Sequence, residues 1–588
     1  MPYQNLRTEH PRPDRVRKEW MTLNGAWHFA FDHENCGIDK LWYKDASPLD
    51  MTIQVPFAYQ SKLSGIDVQD ACDVVWYSRE ISIPEAMNGK RRLLHFGAVD
   101  YRADVWLDGQ YLGCHEGGYT PFTFDITHLT QKEGEIHTLT VRCEDRLDFD
   151  QPRGKQSYRP EPFACWYTPV TGIWQSVWLE GVGQYYPVDF RLTPDLAHGA
   201  LKVEIDLNDL PRDCSIRLTA SFDGNIEARQ EVFLTTDRHV STTIFLRHNE
   251  QLEGIHMWWP HDPALYDLTI ETIVGGNVCD ELNTYFGMRE VSVCGNRIKL
   301  NFSTLYQKLI LDQGYWPDGL LTAPSDDALR RDVELTLQMG YNGARKHQKF
   351  EDPRYLYWAD KLGLLVWGEL PSAYWLRDSE KRNMIRDLSE TIKRDYNHPC
   401  LITWVPLNES WGVPFIQSQK EAQQLNDCLY HLVHCLDGTR LVSGNDGWEM
   451  AATDIFTIHD YTAWPEQLKP EYGSKDGILR GAPGSERLSS AQGYDHTGKP
   501  MLITEYGGIA MQKDSGGDNW GYNGMVNDEK SLLERLDAIT QAFKHMPDSC
   551  GYCYTQLTDV FQEVNGLLDM DRNPKVSVDE VRRINQQR

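Results

Sequence analysis

The chain has 588 residues, 40% hydrophobic and 25% charged, a length for three or four domains and a composition that excludes a disordered or fibrous protein. Its 59 basic against 86 acidic side chains leave a formal charge of −27, a field that repels nucleic acid and anionic membranes. No run reaches the roughly 18 apolar residues of a membrane helix. The opening stretch, charged from Arg7 onward, lacks an apolar signal core, and the 13 cysteines are scattered singly. The expectation is a cytoplasmic protein with reduced thiols.

From about residue 20 the sequence runs in short alternating segments (27–31, 74–78, 92–96, 103–107, 176–179) broken by Gly, Asn, Asp and Pro, which predicts a β-sandwich over 1–183. Asp108-Gly109 has the signature of a two-residue hairpin loop, and Asn24-Gly25 is read the same way. The pattern repeats over 184–293 (201–205, 216–220, 242–246, 266–270) at a length suited to an immunoglobulin-like sandwich. From 294 to 588 apolar strands alternate with amphipathic helices. Eight strands are predicted, at 308–312, 341–345, 364–369, 401–405, 441–444, 454–458, 501–504 and 551–555, with helices at 325–339, 415–436 and 527–545. Eight strands over this length predict a (β/α)8 barrel, with 460–500 as a long loop.

Barrel active sites lie at the carboxyl ends of the strands. Those ends read Asp312, Arg345 with His347, Glu369, Asn408-Glu409, Asn445-Asp446, His459 with Tyr461, Glu505, and Gln556 with Asp559. Several carboxylates at one rim oppose each other's ionisation, an arrangement that points to chemistry. Two carboxyls facing across a cleft rich in Trp and Tyr are what glycoside hydrolysis needs, one to protonate the leaving oxygen and one to meet the anomeric carbon. Glu409 ends the fourth strand and Glu505 the seventh, across the barrel mouth from one another. Cys550-Gly-Tyr-Cys553 continues into the eighth strand, which disfavours a redox reading, and His431 with His434 lack further ligands for zinc. No phosphate-loop or dinucleotide motif is present.

These residues also carry a resemblance. Asn408-Glu409, Thr504-Glu505-Tyr506-Gly507, the stretch 101–110 with 118–122 and 171–178, Trp258-Trp259-Pro260 with 263–266, and 286–289 together resemble glycoside hydrolase family 2, the β-galactosidases, β-glucuronidases and β-mannosidases. The resemblance implies a jelly-roll sugar-binding-type domain, an immunoglobulin-like domain and a catalytic TIM barrel. It further implies a retaining, exo-acting β-glycosidase with Glu409 as acid/base and Glu505 as nucleophile. By the same resemblance Asn408 binds the sugar 2-hydroxyl, Tyr461 hydrogen-bonds the nucleophile, and Arg345 and His347 hold the sugar or orient Glu505. His459, Glu369, Trp166 and Asn565 complete the substrate-binding candidates, although His347 and His459 also read as packed rim residues and Glu369 as a structural partner of Arg345.

Two departures bear on the sugar. Family β-glucuronidases carry Asn-x-Lys near the eighth strand, and the matching stretch here, Asn565-Gly566-Leu567, has no lysine. Many family members carry an Asp where this chain has Trp166, which either offers a stacking face or leaves the role to a neighbour such as Glu161. The expectation is a neutral β-glycoside, β-galactosidase-like, with arabinosidase, galacturonidase, glucuronidase and mannosidase as alternatives and a non-catalytic carbohydrate-binding protein as the rival from another class. No cofactor is expected. The magnesium that some family β-galactosidases bind finds no compact oxygen cluster in the sequence, so a metal is expected to be dispensable. The partner is a carbohydrate substrate rather than nucleic acid or membrane, with self-association left open.

Overall fold

A computed structural model describes residues 7–132, 134–249, 251–511 and 519–587. The N-terminal part is an antiparallel sandwich. Its six-stranded sheet runs Met51–Val55, Gly25–Phe31, Val74–Ser82, Ile136–Glu144, Arg102–Leu107 and Gln110–Glu116. The facing sheet contains Trp20–Thr22, Val177–Val182, Arg91–Phe96 and Phe122–Asp125. Alternate side chains such as Trp27, Phe29, Tyr77, Leu94 and Val141 meet between the sheets, as period-two patterning requires. Asp108 and Gly109 both have positive φ (51° and 73°), the backbone of a two-residue hairpin. Asn24-Gly25 is not a hairpin. It lies where the chain switches sheets, and the Asn24 side chain ties that corner down through Arg7, Ser176 and Val177.

The second sandwich packs the strands Pro187–Asp195, Ala200–Leu207 and His239–Phe245 against Asn225–Leu234, Cys214–Phe222, Tyr266–Val274 and Asn277–Phe286. Its own core includes Leu192, Val203, Ile216, Leu218, Ile270 and Leu282.

The remainder is the barrel. Strands 1 to 8 are Gln307–Asp312, Gly343–Lys346, Leu365–Glu369, Leu401–Val405, Leu441–Val442, Phe456–Asp460, Met501–Gly507 and Ser549–Thr555, paired in parallel in the order 5-4-3-2-1-8-7-6. Strands 4, 7 and 8 are buried throughout, which explains their near-continuous apolar sequences. Strand 6 lies two residues later than predicted, so His459 belongs to the strand rather than to the loop after it. The helix after strand 4 starts at Lys420, not at 415, because Phe415 has φ 61° and is exposed. Two barrel helices not singled out in the sequence, Pro353–Leu362 and Asp378–Asp395, flank strand 3. Cys550 and Cys553 are buried free thiols within strand 8.

One feature of the N-terminal domain positions the site. Residues 153–167 leave the sandwich and cover the barrel mouth. The Arg153 and Gly154 amides donate to the Ser372 carbonyl, Trp166 Nε1 donates to the Tyr374 hydroxyl, and the Tyr167 hydroxyl donates to Glu563. This segment therefore spans from the loop after strand 3 to the loop after strand 8.

Candidate active site

Glu409 and Glu505 face one another at the end of the barrel. One carboxylate oxygen of each and one His459 ring nitrogen all lie within 4.8 Å of one another. Glu505 is the fifth residue of strand 7 and is buried. Glu409 follows strand 4 in a turn where it and Ser410 have φ 52° and 61°, a conformation that costs a non-glycine residue about 1–3 kcal/mol and recurs at functional sites. The turn is held by the Glu409 amide on the Asp446 carbonyl, the Ser410 amide on Asn445 Oδ1 and the Trp411 amide on the Asn408 carbonyl, each at 2.9 Å.

Beneath the pair lies a fully buried ion cluster. Arg345 Nη1 donates to Glu505 Oε1 at 2.7 Å, and Nη2 donates to Asn408 Oδ1 at 2.7 Å and pairs with Glu369 at 2.8 Å and Asp446 at 3.0 Å. Arg345 and Glu369 have no exposed surface, so they make the floor under Glu505 and cannot touch a sugar in this geometry. Asn565 is likewise fully buried, accepting from Gln556 and donating to Glu563. Asn408 differs: Arg345 occupies its oxygen, while its Nδ2 has no hydrogen-bond partner among the described residues. The site thus keeps a spare donor beside Glu409.

Tyr461 donates its hydroxyl to Glu505 Oε2 at 2.5 Å and stacks on Tyr522 at 3.5 Å. His347 Nδ1 lies 3.1 Å from Glu369 and 3.8 Å from Glu505. Burial, reinforced by Lys155 and Arg345, pushes its pKa well below the usual imidazole range, so it is neutral. His459 is the opposite. Burial opposes its charge, but Glu505, Asp446 and Glu409 raise its pKa to about 10; Nδ1 is 2.8 Å from Glu409 and Nε2 is 2.9 Å from Asp446. The imidazolium and Arg345 in turn hold both glutamates below the usual carboxylate range, even though burial, the largest single influence on each, pushes them up.

Glu409, His459 and Glu505 form the one cluster of potential metal ligands among the described residues. An imidazole with two carboxylates, both ring nitrogens already paired, does not match the octahedral oxygen shell that magnesium demands. A proton suits this cluster, and no metal step is derived.

The sequence reading missed Lys155. It enters from the covering segment, with its ammonium 5.9 Å from the Trp166 ring centroid and near the Cys165 thiol. Burial works against its charge, but Cys165, Glu563, Glu409 and Glu505 keep its pKa raised. Among the described residues no carboxylate lies within 4.0 Å of its ammonium. Nothing local marks it in the sequence, because it reaches the mouth only through contacts such as Trp166 with Tyr374, 208 residues away. Asp446 was read as a strand end but not as the partner that closes the His459 relay. Glu563, buried and with a raised pKa, was not read at all.

Family models described as the sugar binding domain, the family 2 domain and the TIM barrel domain of glycosyl hydrolases family 2 match residues 20–150, 186–289 and 322–587. The chain is 26% identical over 409 residues to a putative beta-glucuronidase of Formosa agariphila, covering 66% of this chain and 47% of that protein. It is 25% identical over 460 residues to a beta-galactosidase of Thermoanaerobacter pseudethanolicus, covering 75% and 56%. The chain therefore spans about half the length of these two curated relatives. A solved structure of a β-glucuronidase from Ruminococcus gnavus superposes with a TM-score of 0.78 at 20% identity, over 97% of this chain and 98% of that one. No helix among the described residues is long and apolar enough to cross a membrane. With three consecutive domains matched in order, the chain belongs to glycosyl hydrolases family 2.

Proposed function

We propose that the chain is a retaining, exo-acting β-glycosidase with Glu505 as nucleophile and Glu409 as general acid/base. The observation that carries this reading is that one oxygen of each carboxylate lies within 4.8 Å of the other, a closeness that suits the roughly 5–5.5 Å between the carboxyl groups of a retaining pair rather than the roughly 6.5–9.5 Å of an inverting one. Glu505 attacks the anomeric carbon while Glu409 gives a proton to the departing oxygen. Glu409 then takes a proton from the water that releases the sugar from Glu505, and the β configuration is kept. The Tyr461 hydroxyl and Arg345 each engage one oxygen of Glu505, which aims the nucleophile and keeps it ionised. The free Nδ2 of Asn408 supports a contact to the 2-hydroxyl that tightens in the transition state. The needed proton sits on His459, one hydrogen bond from Glu409. The segment 153–167 over the mouth supports exo cleavage, since it closes one side of the cleft.

For the sugar we infer a β-hexuronide. The expectation of a neutral sugar rested on the −27 charge, the acidic rim and the missing Asn-x-Lys lysine, and Lys155 supplies a cation in place of the last. An ammonium held in the cleft with no carboxylate of the described residues in salt-bridge range matches a sugar carboxylate, and a charge-assisted hydrogen bond there is worth about 1.5–3 kcal/mol. Relatives named for glucuronides and for galactosides both occur, so this choice rests on Lys155. The test compares kcat/KM for 4-nitrophenyl β-glucuronide, β-galacturonide and β-galactoside in the wild type and in Lys155→Met. A uronide should lead by tenfold or more, and Lys155→Met should erase that lead while sparing the galactoside. A galactoside preference unchanged by the substitution would restore the neutral reading.

A further inference from the structure

The cleft continues outward as an aromatic wall that the mechanism does not use. Trp411, two residues past Glu409, stands edge-on to Trp166 (centroids 5.4 Å, 84°) and to Tyr374 (5.6 Å, 72°). From Trp166 the wall passes to Phe163 and Tyr158 at 4.9 and 5.2 Å, and then through Phe149 to Trp375 at 4.8 and 5.4 Å. The inner rings are half-buried, and Trp375 at the outer end is 46% exposed. The wall thus runs from the acid's own loop to solvent and is built from two domains.

We propose that this wall is the aglycone site and that it takes a flat aromatic leaving group. The inference rests on the reading of Glu409 as the acid, because the group that protonates the leaving oxygen lies on the aglycone side of the bond. The chemistry of the wall selects the class of aglycone. A second sugar would need free polar groups for its hydroxyls beside the aromatic faces. At Trp166 and Tyr374 the polar handles are turned inward: Trp166 Nε1 donates to the Tyr374 hydroxyl, and that hydroxyl donates to the Gly154 carbonyl. Phe163 is held between Trp166 and the Arg159 guanidinium, 4.1 Å from its centroid, a strut that stiffens the wall. Trp411, half-buried and two residues from Glu409, offers the inner stacking surface.

The test uses one sugar, the best substrate's, as its 4-methylumbelliferyl and its methyl β-glycoside, with Trp411→Ala, Trp411→Phe and Trp375→Ala. For Trp411→Ala, kcat/KM on the two-ring aryl glycoside should fall about tenfold, the scale of one lost ring stack. Its value on the methyl glycoside should stay within about threefold, and Trp411→Phe should recover most of the aryl rate. Trp375→Ala should raise KM for the aryl glycoside only. Equal losses on both substrates would make the wall a mere support for the Glu409 loop and overturn the aglycone site, as would no loss on either. A wild type that cleaves neither glycoside refutes the glycosidase reading itself, a separate result.

Discussion

Replacing His459 by Gln separates a proton store from a packing residue. The imidazolium is bracketed by Glu409 at 2.8 Å, Asp446 at 2.9 Å and Glu505 at 3.5 Å, with Arg345 behind Asp446 and Trp448 edge-on to the ring. Its pKa of about 10 lies above the ordinary imidazole value, so the proton is retained until the pH rises through 10. The relay therefore keeps a proton within reach of Glu409 across the neutral range. Glutamine preserves a hydrogen bond but carries no titrating proton. Glu409 must then hold the acid proton alone, as a carboxyl beside the ionised Glu505. A lone carboxyl has lost its proton well below pH 8, so at that pH general-acid assistance is largely missing, which predicts a loss of about 10²-fold or more with an alkyl leaving group. The basic limb of kcat/KM should move down by two or more pH units. A 2,4-dinitrophenyl glycoside, which needs no protonation in the first step, should show little of this shift. A uniform loss at every pH, equal for both leaving groups, would refute the relay and leave His459 as packing.

Glu505→Ala should abolish turnover of all glycosides, whereas Glu409→Ala should keep the first step with activated aryl groups, seen as a burst followed by slow release. Arg345→Met leaves Glu369, Asp446 and Glu505 facing each other without their common cation, and should lower stability by about 3–5 kcal/mol and Tm accordingly. Burial raises the pKa of Asp387, on the barrel helix Asp378–Asp395, to about 7 despite Arg386. The folded state therefore holds this proton more tightly than the unfolded one, and its contribution to stability is lost as pH rises from about 4 to 7. Asp387→Asn should raise Tm at pH 8 and change it little at pH 4. EDTA dialysis should leave kcat unchanged; loss of activity restored by magnesium would contradict the proton assigned to the Glu409–His459–Glu505 cluster.

What could be read in advance follows from how local each signal is. Alternation and turn chemistry are local, so the three-domain plan was visible, and Glu409 and Glu505 could be singled out because each stands near the carboxyl end of an apolar run. Arg345 was legible in part: its pairing with Glu369 and its hold on Glu505 were among the readings, but the choice between sugar and carboxylate depends on Glu369, Asp446 and Glu505 converging from three other strand ends. His459 was read as a rim group since strand 6 was placed two residues early. Lys155 and the aromatic wall were invisible for a stronger reason: they exist only once a loop of the first domain lies on the third, through pairs such as Tyr167 with Glu563, 396 residues apart. Asn24-Gly25 shows the reverse error, a local turn signal overridden by long-range bonds to residues 176 and 177.

The central claim is a covalent sugar on Glu505. Incubation with a 2-deoxy-2-fluoro β-glycoside bearing an activated leaving group slows release of the intermediate, and mass spectrometry of the proteolysed protein locates the added sugar. The account predicts one fluoroglycosyl unit on the peptide spanning Met501–Gly507, at Glu505, with NMR of an ordinary substrate showing the β-anomer as first product. A label on any other residue, or no label together with the α-anomer, would contradict it.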